Sequence, residues 1–117
     1  YLYNNNMNIY EQKGITGQVH WDIKELSVKD NLEYDGLCSI PMEAEIFISN
    51  EATGERAIDV VLYECLHAME HMYDTDLPEE TIGKLGNMLG RLFIENEWLT
   101  TYIHEQIQIH KKPTTDA

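Results

Sequence analysis

The residues with the most chemistry in them are consecutive: Tyr63-Glu-Cys-Leu-His-Ala-Met-Glu-His71. On a helix turning 100° per residue, Glu64, His67 and His71 fall within an arc of about 60° on one face. One carboxylate and two imidazoles within two turns can reach a single divalent cation. Zinc fits such nitrogen and oxygen ligands best, and histidines four residues apart on a helix are a common way to hold it. A further ligand must come from outside this run, and Asp74, Asp76 and Glu79 follow closely enough to supply it. The candidate ligand set for Zn2+ is therefore Glu64, His67, His71, Asp74, Asp76 and Glu79. The same pattern also reads as a plain polar helix face with two hydrogen-bonded histidines, and both readings stand on these residues alone.

The helix that must carry them is visible in the apolar spacing. Ile58, Val61, Leu62, Cys65, Leu66, Met69 and Met72 recur at three and four, which predicts an amphipathic helix from Arg56 to about Tyr73 with Cys65 facing the core. Asp74-Thr-Asp-Leu-Pro-Glu-Glu80 then brings a proline and two acids to the start of a second helix, where a missing N–H and negative charge both fit. Its stripe is Ile82, Leu85, Leu89, Leu92 and Phe93, and its glycines Gly83, Gly86 and Gly90 point to a close helix contact. Asn96 marks a break. Trp98, Leu99, Tyr102, Ile103, Ile107 and Ile109 predict a third helix before a polar tail from Lys111.

Ahead of the helices the period is two. Residues 7–12 and 17–24 alternate like half-buried strands, with Val19, Trp21 and Ile23 on one face and His20 outward, and pair as a hairpin across Lys13 to Thr16. Asp35-Gly36 is a turn signal, and Glu43 to Ser49 is a further strand approached by Pro41. Strands followed by helices without βαβ alternation make the fold class α+β, with N-terminal antiparallel strands and two or three helices. The organisation expected is a cloning remnant at 1–6, one domain at 7–110 and a tail at 111–117.

Composition narrows the function. The 117 residues are 43% hydrophobic and 25% charged, with a net charge of −13. Residues 33–80 hold thirteen acids and one base, Arg56, so almost all of that charge sits in one stretch. Direct nucleic-acid binding needs the opposite sign. No apolar run is long enough to span a bilayer and no signal peptide precedes the domain, which predicts a cytoplasmic protein, with Cys38 and Cys65 as reduced thiols. His104 and His110 have no carboxylate pattern around them.

The run Val61-Leu-Tyr-Glu-Cys-Leu-His-Ala-Met-Glu-His-Met-Tyr73, followed by Asp-Leu-Pro-Glu-Glu80, a Leu/Gly-rich helix and Ile-Glu-Asn96, resembles small phage and prophage proteins of the zincin-like metallopeptidase type. The resemblance covers roughly Met7 to Leu99. It implies a zincin-like fold in which Glu45 to Ser49 is an edge strand before a helix bearing His-Glu-x-x-His. Here the first histidine of that motif falls on Tyr63. In a zincin the two histidines hold the metal and the glutamate between them activates bound water. A phenol with an ordinary pKa of about 10 is a poorer ligand at neutral pH. The resemblance then implies that Glu64 turns from base to ligand, that His71 makes up the count, and that the closed site has lost catalysis.

Three functions follow as expectations. The first is a phage-encoded inhibitor that binds a basic host nucleic-acid-handling protein through Glu51, Glu55, Asp74, Asp76, Glu79 and Glu80. By analogy of size and acidity it is similar to anti-CRISPR proteins, which makes a Cas9-type nuclease the first partner, blocked from loading DNA. The second is a working zinc metallopeptidase with Glu64 as general base. The third is a phage accessory protein in which metal only stabilises a small core.

Overall fold

The computed structural model describes residues 7–16, 19–26, 36–39 and 45–112. After a short 3-10 helix, Ile9–Glu11, come four strands, β1 (Lys13–Thr16), β2 (Val19–Leu26), β3 (Gly36–Ser39) and β4 (Glu45–Ser49), and three helices, α1 (Gly54–Tyr73), α2 (Glu79–Glu95) and α3 (Glu97–Lys111). The architecture is α+β.

The strands form one sheet in the order β1-β2-β4-β3. It is mixed rather than wholly antiparallel, because β4 runs parallel to β2, with Ile23 beside Ile46, and antiparallel to β3. Glu45–Ser49 is therefore an inner strand, not the edge strand expected. Its Ile46 and Ile48 are buried, which suits a strand with neighbours on both sides.

The first hairpin also differs from expectation. Lys13–Thr16 is a strand itself, pairing antiparallel with β2, and the connecting residues 17–18 lie outside the described residues. The reason lies upstream. The Asn8 side chain accepts a hydrogen bond from the Tyr10 N–H at 3.1 Å and winds Ile9–Glu11 into the 3-10 helix, so these residues are not extended. The Tyr10 hydroxyl then donates to the Ile48 carbonyl at 3.0 Å and ties this segment to β4. Gly14 sits opposite Trp21, and the indole lies where a side chain at Gly14 would stand.

The core is the sheet face that α1 covers: Trp21, Ile23, Ile46 and Ile48 with Ala68, flanked by Val60, Val61 and Cys65. Trp21 and Ile23 share a face as the alternation predicts. Leu26, outside that alternation, is buried as well. Cys65 is a thiol against the core, His20 is exposed, and the side chains of Val19 and Cys38 lie outside the described residues.

The helix boundaries follow their signals. Asp74 closes α1 in the left-handed conformation, its N–H donating to the Glu70 carbonyl. Pro78 stands at the cap of α2, with Glu79 and Glu80 in its first turn. Asn96 separates α2 from α3, its side chain donating to the Leu92 carbonyl at 2.9 Å and accepting from the Trp98 indole N–H at 3.3 Å. Residues 1–6 and 113–117 lie outside the described residues. Among the described residues no helix is long and apolar enough to cross a membrane.

Candidate functional site

The antiparallel helix pair α1 and α2 builds the site, with the glycines of α2 on the contact face. Gly86 and Gly90 are buried on the α2 face that meets α1. A Cβ added at Gly86 would lie 3.6 Å from the Tyr63 main chain, and one at Gly83 would lie 3.8 Å from the Tyr63 ring. The close helix contact expected from the glycines is present. Its effect is to bring the first turn of α2, with Glu79, over Tyr63 and Glu64 in the middle of α1.

Three contacts define the cluster. The Tyr63 hydroxyl donates to Glu79 Oε1 at 2.8 Å. The His67 ring stands edge-on to the Tyr63 ring with centroids 4.6 Å apart. Glu64, only 4% exposed, lies under edge strand β3, where a Cβ at Gly36 would come within 2.8 Å of Glu64 Oε2 and 2.9 Å of the Phe47 carbonyl. Gly36 is thus required for the strand to pass over the carboxyl group.

Burial and charge then tune these groups. Desolvation, followed by the negative Glu79 nearby, pushes the Glu64 carboxyl up from 4.5 to about 7. The Tyr63 phenol is also pushed up, first by burial, then by its bond to Glu79 and by the charges of Glu79, Glu64 and Glu70. The phenol therefore keeps its proton at neutral pH and acts as a donor. Glu70 completes the group: its Oε2 is buried with no hydrogen-bond partner among the described residues. Sequence reasoning missed it as a site residue. Its signal was the spacing of seven from Tyr63, which returns to the same helix face after two turns.

The remaining candidates are spread out. His71, Asp74, Asp76, Glu79 and Glu80 are exposed around the C-terminal end of α1 and the start of α2. Glu51 and Glu55 are exposed at the opposite end of α1, about 30 Å away along a 20-residue helix. The six carboxylates expected to bind a partner thus form two groups rather than one face. Two are compensated, Glu80 by Lys84 at 3.2 Å and Glu55 by Arg91 at 3.2 Å. Asp74 and Asp76, both with positive φ of 52° and 51°, have no cation beside them among the described residues.

Among the described residues no three His, Cys, Asp or Glu side chains converge on one point where an ion would sit. Glu64, His67 and Glu79 are grouped around Tyr63, whereas His71, Asp74 and Asp76 are turned to solvent. As placed, the side chains do not form a closed ligand shell. Comparison with protein-family models, curated proteins and solved structures gave no match.

Proposed function

We propose that the protein is a non-catalytic acidic binding protein, whose carboxylates engage the basic nucleic-acid-handling surface of a host protein. A Cas9-type nuclease is the first partner to try. The observation that carries this reading is the turn between α1 and α2, where Asp74 and Asp76 are exposed on a backbone of positive φ with no cation beside them among the described residues. Carboxylates held there keep a standing negative potential that attracts a cationic channel and competes with the phosphates it normally takes. The zincin-like reading of the helix pair supports the loss of catalysis. Where a peptidase presents an imidazole to its metal, this chain presents a phenol bonded to Glu79.

The test is association of the full chain with a Cas9-type nuclease by biolayer interferometry. Asp74→Lys with Asp76→Lys should lower the association rate about tenfold at low salt, and the difference should shrink as salt screens the field. Glu51→Lys with Glu55→Lys, at the far end of α1, should change it little. Equal effects at both ends, or no binding to any basic nucleic-acid-handling protein, would overturn the proposal.

One observation favours a second reading, the zinc peptidase. Glu64 is buried, raised to about 7 and beside edge strand β3, as a general base would be. Peptide hydrolysis that requires added zinc and disappears in Glu64→Gln would establish it in place of the first.

A further inference from the structure

At the end of the helix pair away from Asp74 and Asp76 lies a groove of about 600 Å3 walled by Ile58, Val61, Leu62, Phe93 and Ile94, with Glu97 and Thr100 of α3 on its rim. Next to it α3 extends from the body with no buried residue. Trp98 is 65% exposed and Ile109 59%, with Tyr102, Ile103 and Ile107 also open to solvent. At 100° per residue these five and Leu99 occupy one half of the helix. Helices of about 15 residues are marginal in water on their own.

We propose that this surface is a homodimer interface, in which α3 of each copy lies in the groove of the other. Three observations select a second copy as the occupant. First, charge: residues 97–112 carry Glu97 and Glu105 against Lys111 and Lys112, so this is a neutral region on a chain of net charge −13. An equally acidic molecule meets less repulsion along α3 than along the rest of the chain, whereas a basic partner is drawn to Asp74 and Asp76. Second, direction: when the two α3 helices run antiparallel, the lysine end of one lies beside the Glu95 and Glu97 end of the other. Third, area: the open side chains of α3 present on the order of 500 Å2 of apolar surface, which with the groove approaches the roughly 800 Å2 per partner of a stable interface. Groove and helix adjoin through Thr100 and Glu97, so a two-fold axis lets both be used at once.

The experiment is light scattering on the eluting full chain at about 100 µM, a concentration at which an interface of this size is populated. The wild type should elute at twice 13.6 kDa. Ile107→Glu, which changes α3, and Ile94→Lys, which changes the groove, should each elute at the monomer mass with unchanged far-UV circular dichroism. Mixing the two should restore the dimer mass, because one of the two contacts in the mixed pair joins a new glutamate to a new lysine. Trp98→Glu replaces Ile107→Glu should that variant lose its helical signal. A wild type at 13.6 kDa overturns the proposal. So does a dimer indifferent to both substitutions, or the lack of a mixed dimer.

Discussion

The two ends of the α1–α2 pair share the same helices yet are built on opposite rules. At one end Ile82 is almost wholly enclosed at 1% exposure, and beside it the Tyr63 phenol is bonded to Glu79. At the other end Gly90 still lies against Ile58 and Asp59, but an apolar groove opens beside the pair and α3 leaves the body with its apolar half uncovered. The difference is one of what closes the surface. The end at Asp74 and Asp76 is closed by its own side chains, whereas the other end keeps an open apolar groove beside exposed acids, Glu55 among them paired with Arg91. The two surfaces proposed for a basic partner and for a second copy thus stand about a helix length apart.

The largest effect that would break the contrast is a cavity at the closed end. Ile82→Ala should cost about 2–5 kcal/mol of stability in urea denaturation at any protein concentration. Trp98→Ala, at the open end, should instead lower the midpoint only at concentrations where the dimer forms. Equal, concentration-independent losses would show that the two ends are not different in kind.

A smaller effect concerns the buried carboxyl at the closed end. In the fold Glu64 holds its proton up to about pH 7, against 4.5 as its ordinary value. The folded chain therefore binds more protons than the unfolded chain between these two values, so the stability Glu64 contributes is complete below about 4.5 and is lost as pH rises through 7. In metal-free protein that loss should be roughly 3 kcal/mol. Comparing wild type with Glu64→Gln across pH 4 to 8 isolates it, since the other carboxylates are common to both. A stability difference that stays flat with pH would remove Glu64 from this account.

The smallest effect sharpens the role of the glycines. A methyl group at Gly86 meets the Tyr63 main chain at ordinary contact distance, while alanine is the better helix former. Gly86→Ala should leave the melting temperature unchanged or raise it by an amount worth up to about 1 kcal/mol. A marked loss would mean that the helices are closer than this packing allows.

The helical half was legible because its signals are local. The apolar spacing of α1, Pro78 and the two acids ahead of α2, and the polar Asn96 before Trp98 each act within a turn or two. The sheet was less legible because its order is set by partners distant in sequence. Nothing in Glu45 to Ser49 says whether it lies at an edge, and only pairing with both β2 and β3 makes it an inner strand. Lys13 to Thr16 falls between the two alternating segments and so reads as their turn, although Gly14 there leaves room for the Trp21 ring in a strand pair. Helix geometry sets Glu64, His67 and His71 on one arc, but a shared arc gives direction only, and along it Glu64 is buried, His67 half-buried and His71 exposed. The part played by Tyr63 and Glu70 depends on burial, which spacing does not supply.

The parallel pairing of β2 with β4 has a kinetic consequence. Each of the hairpins β1–β2 and β3–β4 closes over a short stretch of chain, and so does the α1–α2 pair. Joining β2 to β4 brings together the two halves of the sheet and requires the intervening segment, β3 included, to be looped out of the way. That step pays the loop-closure entropy before any core side chain of β4 is buried. Helical signal should thus develop early in refolding, and amide protection in β2 and β4 should arrive together in a later, slower phase.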